Sequence, residues 1–266
     1  MLPLKRVSDA VLMKGIIEGF RSAGFEVWMD DFGSGYSSLN LLKDYQFDTI
    51  KMDMVFLSSF TDKSKAILTA AINMAKNIGI MTLAEGVETA EQVDFLYSIG
   101  CGKLQGYYYG KPMGLDEFFD HIAAMGITVE PRKLRNYYQI ASFCARYTEE
   151  PLEILEDDGS EFRTIFMNDA YKRQIFSRDY SLKDIDRIIY HTNSPLINKY
   201  REYADIIEKT KNHETFYYTY DGNIVCFQGE ELAEIDGKHL IKGSIRNISI
   251  DGTQISGRQQ SLSGIF

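Results

Sequence analysis

The sequence predicts an α/β fold in which parallel strands alternate with helices through residue 129, followed by a smaller α+β module. Three observations predict it. Short apolar runs alternate four times with amphipathic segments of helix length, the pattern of parallel strands joined by right-handed crossovers. Each run ends in a functional side chain: Asp30 and Asp31, then Lys51 and Asp53, then Glu85, then Gln105. Around Val129-Glu130-Pro131-Arg132 the alternation stops, and hairpin signals take over.

The elements follow in order. Ser8 and Asp9 cap a helix whose apolar positions Val11, Leu12, Ile16 and Phe20 recur at helical spacing until Gly24 ends it. Phe25 to Asp30 is a strand. The loop Phe32 to Ser38 leads into a short helix, Ser37 to Lys43, and Phe47 to Asp53 is the second strand. A helix from Lys63 to Asn77 presents Ile67, Leu68, Ala71, Ile72 and Ala75 on one side. Met81 to Glu85 is the third strand, Thr89 and Glu91 open a helix with Val93 and Leu96 inward, and a fourth strand lies near Leu104 to Tyr107. A TIM barrel and a doubly wound sheet both gather ligands at such strand ends.

Composition narrows the class. The 266 residues are 44% hydrophobic and 25% charged, ordinary for a globular chain. The net charge of −9 is spread over both halves, so neither offers the basic face that a DNA binder needs. Cys101, Cys144 and Cys226 are odd in number and far apart, which fits a reducing cytoplasm better than a disulfide framework or a zinc site. The start lacks an apolar signal core, and the most apolar helical stretch, Ile67 to Ala75, is too short to span a membrane.

Asp30 and Asp31 are the chemical centre. Two adjacent carboxylates repel each other unless a cation or a donor network compensates them, and a divalent metal pair sharing one carboxylate does so. A solvated turn is the plainer alternative, since Asp before Gly is common in loops. Lys51 could equally be a strand-end lysine, Glu88 a helix N-terminal acid and Gln105 a polar strand residue.

Taken together, Asp30-Asp31-Phe32-Gly33-Ser34-Gly35-Tyr36-Ser37-Ser38-Leu39, Lys51-Met52-Asp53, Ala84-Glu85-Gly86-Val87-Glu88-Thr89 and Gln105-Gly106-Tyr107 resemble the ordered signatures of the EAL family of cyclic di-GMP phosphodiesterases. The resemblance spans about residues 5 to 125. It implies the C-terminal half of a TIM-type (β/α)8 barrel, and a bacterial signalling enzyme that hydrolyses cyclic di-GMP to linear pGpG with two metals, Mg2+ or Mn2+. By the same resemblance Asp30 bridges the metals, Asp31 and Glu85 ligate the second, Lys51 holds the attacking water and Gln105 supports it. Glu88 anchors the loop Phe32 to Ser38, which is tied in the family to dimerisation. Asp53 stays open between a guanine contact and local structure. Tyr107, Tyr108 and Tyr109 are expected to pack in the barrel and its rim.

The pattern departs from the family at its front. The Glu-x-Leu strand, a metal-binding Asn and a further metal-binding Glu are missing, and Glu18 cannot substitute because it lies within the first helix. The expectation is therefore an incomplete barrel, a truncation of a longer gene product, with very low activity. Its exposed strand edges invite a second copy or a complementing barrel half. A non-catalytic cyclic di-GMP receptor or interaction module is the alternative, and a fragment that folds only by self-association is the third reading.

Residues 130 to 250 read differently. A helix, Leu134 to Arg146, precedes a hairpin of Leu152 to Glu156 and Phe162 to Met167 about the turn Asp157-Asp158-Gly159. Helical segments run to Lys211, and three strands follow near Thr215 to Tyr220, Ile224 to Glu231 and His239 to Ile248, with turns at Asp221-Gly222 and Asp236-Gly237. This order is similar to a PAS sensor domain. No PAS cofactor is expected: His191, His213 and His239 read as surface or satisfied core histidines, and Cys144 and Cys226 as small buried residues. The tail, 251 to 266, reads as a flexible linker.

Overall fold

The computed structural model describes residues 10–34, 38–127, 129–175, 182–190, 196–220 and 223–248. The proposed cap at Ser8 and Asp9, loop residues Gly35 to Ser37, the turn Asp221-Gly222, His191 and the tail lie outside the described residues. The chain forms two compact units, Met1–Tyr147 and Thr148–Phe266.

The first unit opens with α1 (Ala10–Ser22), β1 (Trp28–Phe32), α2 (Ser38–Asp44) and β2 (Thr49–Met52). It continues with α3 (Val55–Ser58), α4 (Asp62–Asn77), β3 (Met81–Ala84), α5 (Ala90–Ser98), β4 (Lys103–Leu104), α6 (Leu115–Ala124) and α7 (Arg135–Cys144). The four strands form one parallel sheet in chain order, β1-β2-β3-β4. Thr89 caps α5 through a reciprocal capping box with Gln92, which fixes where the third strand's loop becomes helix.

One face of the sheet carries Met29, Ile50, Met52 and Ala84 into a core with Leu68, Ile72 and Ala75 of α4 and Leu96 of α5. Ile67 does not join them: it is exposed, so the inward stripe of α4 is narrower than its periodicity suggested. On the other side, Lys103 Nζ lies 5.2 Å from the ring of Trp28.

α1 ends at Ser22 as the glycine signal implied, but its apolar residues are poorly covered. Val11 is 87% exposed and Phe20 54%, and Ile17 is the buried position. The edge strand β1 adjoins them with Phe25 and Trp28 exposed. Tyr109 packs against the core, whereas Tyr107 and Tyr108 are exposed, because the strand stops at Leu104 and the tyrosines sit in the loop beyond it.

Past the expected break at 129–132, α7 still belongs to the first unit. Its C-terminal carbonyls are held by the buried ammonium of Lys76 on α4, which donates to the carbonyls of Gly100, Ala145 and, at 2.6 Å, Ser142. Gly100 and Gly102 make the approach possible, because a Cβ at either would press on the Ala145 carbonyl or the Ser142 hydroxyl.

Gly106 is a second close approach. A Cβ there would overlap the Val87 backbone, which exchanges hydrogen bonds with the carbonyl of Gln105 and the amide of Tyr108. Gly106→Ala is expected to cost about 3 kcal/mol, since backbone rather than a flexible side chain must give way. A lowered denaturant midpoint at unchanged slope checks it.

The second unit has β5 (Glu153–Asp157), β6 (Phe162–Met167), α8 (Asp169–Ile175), α9 (Leu182–Ile189), α10 (Ile197–Thr210), β7 (Glu214–Tyr220), β8 (Asn223–Ile235) and β9 (Lys238–Ile248). Its five strands form one antiparallel sheet in the order β6-β5-β9-β8-β7. The turn after β5 is set by Asp158, whose carboxylate accepts from the amides of Ser160 and Glu161 and from the Ser160 hydroxyl; those donors hold its pKa down to about 2. The core is aromatic, with Tyr171, Tyr190, Tyr200, Tyr203, Tyr218 and Phe227 buried together. His213 and His239 lie at carboxylates, His213 Nε2 2.8 Å from Glu230 and His239 Nδ1 2.7 Å from Glu231. Cys144 and Cys226 are half-buried thiols rather than fully buried ones.

A candidate carboxylate and lysine site on the strand rim

Register builds the rim. Beyond each strand the parallel ladder continues for one more bond: Asp53 N–H donates to Phe32, Glu85 N–H to Met52 and Gln105 N–H to Ala84. The C-terminal ends of all four strands thus lie side by side.

The strand β1 starts three residues later and ends two residues later than its apolar pattern indicated, so Asp30 and Asp31 lie inside it rather than at its end. Pairing with β2 slips between Met29 and Phe32, and Asp31 adopts a left-handed φ of 54°. A regular strand would send adjacent side chains to opposite faces; the bulge exposes Asp30 and Asp31 together. Asp tolerates this conformation better than most residues. Ser34 secures the turn by donating from its amide and hydroxyl to the Asp31 carbonyl, and Gly33, at φ 106°, leaves room for the Phe56 ring.

Lys51 stands between the acids. Its Nζ donates to Asp30 Oδ1 at 2.8 Å and lies 2.6 Å from Glu85 Oε1. Asp30, Asp31 and Glu85 each offer a carboxylate oxygen within 4.8 Å of the others. The hydrogen bond from Lys51 holds the Asp30 carboxyl below its usual pKa despite some desolvation. The bonds to Asp30 and Glu85 in turn raise the pKa of Lys51, so this lysine remains an ammonium. As a donor of three hydrogens it can orient an oxygen, and it cannot serve as a proton acceptor at neutral pH.

The remaining predicted residues are placed differently. Asp53 accepts from the Val55 amide at 2.8 Å and so shapes the start of α3, a local role that sequence spacing did not reveal. Glu88 is exposed at the start of α5, where its amide donates to Gln92 Oε1; Gly35 to Ser37 of the loop it was expected to anchor lie outside the described residues. Gln105 bridges neighbouring strand ends through its backbone, and its side chain is exposed. Phe56, which wedges against Gly33, was not singled out from the sequence; the glycine at a bend was the available signal. A cleft of about 510 Å3, lined in part by Arg21, Asp48, Ile80 and Phe143, opens at the opposite, N-terminal end of the strands and contains none of these acids.

An oxygen-only set of three carboxylates suits a hard divalent cation better than a thiophilic one. Such a set beside an ammonium, on the C-terminal rim of a parallel α/β sheet, defines a class of site suited to anionic ligands held through a cation.

The comparisons name the family of this segment. Residues 6–112 match the family described as EAL domain. An uncharacterized signaling protein of Caulobacter vibrioides is 41% identical over 98 residues, covering 36% of this chain and 12% of that protein. The cyclic di-GMP phosphodiesterase RocR of Pseudomonas aeruginosa is 38% identical over 103 residues, covering 38% of this chain and 26% of that protein. Among solved structures, an EAL domain protein of Listeria monocytogenes is 32% identical with a TM-score of 0.42, covering 46% of this chain and 49% of that one. The chain thus spans only 12% and 26% of the length of these two curated relatives. Among the described residues, no helix is long and apolar enough to cross a membrane.

Proposed function

We propose that the first unit carries the catalytic rim of a cyclic di-GMP phosphodiesterase of the EAL type, acting in cytoplasmic signalling and cleaving the cyclic dinucleotide to pGpG. The observation that carries this reading is Lys51 bonded to Asp30 and Glu85, with Asp31 in the same cluster. Asp30, Asp31 and Glu85 would hold divalent cations, Mg2+ or Mn2+. When bound, such cations lower the pKa of a coordinated water and offset charge growing on the phosphoryl oxygens. Lys51, kept charged by its two acids, orients the attacking water for in-line displacement at phosphorus. Gln105, exposed beside it on the rim, supports that position. Glu88 anchors the loop from Phe32 to Ser38, and Asp53 contributes to substrate binding only through the segment it shapes. The four parallel strands, paired in chain order with helices between them, support reading the unit as the C-terminal half of a TIM-type barrel.

In this reading the exposed apolar residues of α1 and the unpaired edge of β1 receive a second copy or a complementing barrel half. The second unit is PAS-like. Its sheet order, with the first two strands beside the last and the helices between the second and third, supports that assignment, and it regulates the first unit or mediates pairing.

A second reading, a non-catalytic cyclic di-GMP receptor, is favoured by one observation. Lys51 pairs with both Asp30 and Glu85, giving the two acids a cation of the chain's own. Incubating the chain with cyclic di-GMP and Mg2+ or Mn2+, and measuring both binding and pGpG, separates the two. Little hydrolysis is expected, because three carboxylates meet only part of a hard cation's demand for six or more oxygens. Any turnover should vanish in Asp30→Asn. Turnover that survives Asp30→Asn refutes the proposed site, and tight binding without product selects the receptor.

A further inference from the structure

A buried acid in the second unit has no place in that chemistry. Glu153 on β5 is fully buried, and its Oε1 accepts a 2.8 Å hydrogen bond from the Tyr190 hydroxyl at the end of α9. Among the described residues, its other oxygen, Oε2, has no hydrogen-bond partner. The Tyr171 hydroxyl on α8 sits beside the same carboxyl and is itself buried without a hydrogen bond of ordinary geometry. Two unsatisfied polar atoms in one apolar cluster are costly, and a proton on Oε2 turns a bare acceptor into a donor for the adjacent phenol.

Among the described residues, the groups that act on Glu153 are phenols and an acid rather than a cation. Tyr171 faces it from α8, Asp186 and Tyr190 from α9 and its end, and Tyr200 and Tyr218 from α10 and β7. Tyr200 and Tyr218 are bonded to each other at 3.1 Å. The cations nearest in chain and register serve other acids: Arg201 binds Asp157, Arg163 and Lys238 bind Glu156, and Lys242 binds Glu230. Burial accordingly pushes the Glu153 carboxyl up to about 7.

α9 is the element tied to this carboxyl. Tyr190 bonds Glu153, and Asp186 Oδ1 accepts from the Thr164 amide at 2.9 Å, where the register of β5 with β6 slips. An ionised Glu153 would repel the Asp186 charge through the same helix that bonds it.

We propose that Glu153 is a reversible proton-binding site in the second unit, and that the protonated carboxyl is the form that keeps α9 docked on the β5-β6 hairpin. Solvent supplies the proton, which resides on Oε2 and is returned to solvent when the site opens. The inference stands on the second unit alone and does not depend on the phosphodiesterase reading.

Hydrogen exchange of the full chain tests it. After correction for intrinsic rates, protection of β5 and α9 should fall about tenfold between about pH 6 and about pH 8.5, as linkage requires for a carboxyl at about 7 when docked and 4.5 when open. Glu153→Gln, an uncharged mimic of the protonated acid, should remove that fall. The same tenfold fall in Glu153→Gln, or no fall in the parent chain, overturns the proposal. Should Glu153→Gln fail to fold, infrared titration of the parent decides: a buried carboxylic acid band that disappears through neutral pH upholds the site, and absence of that band refutes it.

Discussion

Lys51→Met is expected to move metal binding and catalysis in opposite directions. Removing the ammonium that lies 2.8 Å from Asp30 and 2.6 Å from Glu85 frees both carboxylates and deletes a positive charge from the cation's place. Even well screened, a unit charge a few ångströms away is worth at least about 1.4 kcal/mol, so Mn2+ affinity should rise about tenfold. Product formation in the presence of Mn2+ should fall by about 100-fold or below detection, because a preorganised donor to the reacting oxygen is lost. Calorimetry with Mn2+ and a pGpG assay on the same samples check the pair of effects. A lysine that merely reached solvent would change neither. Weaker metal binding in the variant would mean that the lysine organises the acids rather than competing for them.

Lys76→Met should destabilise the first unit by about 3 kcal/mol, with α7 losing protection first. Methionine matches the aliphatic stem but leaves the carbonyls of Gly100, Ser142 and Ala145 without their shared donor, and stranded buried acceptors cost about 1–3 kcal/mol each before relaxation. The pH dependence has a definite sign. Burial lowers the Lys76 pKa from 10.5 to about 8, so between those values the unfolded chain binds more protons than the folded one. Stability of the parent should therefore rise with pH through that window and be flat below it with respect to this group. The slope should be absent in Lys76→Met. Denaturant unfolding across the window measures both, and hydrogen exchange assigns the loss to α7.

The two lysines show what periodicity conveys and what it hides. Lys51 was legible because it ends an apolar run in step with Asp30, Glu85 and Gln105, and strand ends of a parallel sheet converge. Lys76 has the sequence position of an ordinary cation in the last turn of α4, where the helix dipole favours one. Its partners lie up to 69 residues away in sequence, beyond any local pattern. Glu153 was hidden in the same way. It opens a β5 that is buried along its whole length, and only the packing of α8 and α9 encloses its carboxyl.

Boundaries moved where tertiary contact outweighed local preference. Phe25 begins an apolar alternation, yet β1 starts at Trp28, where the parallel partner Thr49 is available. Asp53, left open between a guanine contact and local structure, bonds the amide two residues on, a competition between side chain and backbone that spacing does not resolve. The end of the first unit lies at Tyr147 rather than near 129, because α7 is fastened by Lys76 across two glycines that have no room for a Cβ.

By itself the sequence determined the alternation of four parallel strands with helices, the row of acids and amine at their ends, and five later strands, since side-chain period and strand polarity are local properties of the chain. Only the tertiary structure decided that a left-handed Asp31 brings both aspartates to one side, that Lys51 joins Asp30 to Glu85, and that Glu153 is sealed among phenols. Those outcomes depend on register and burial, which arise when distant segments meet and share the same dry space.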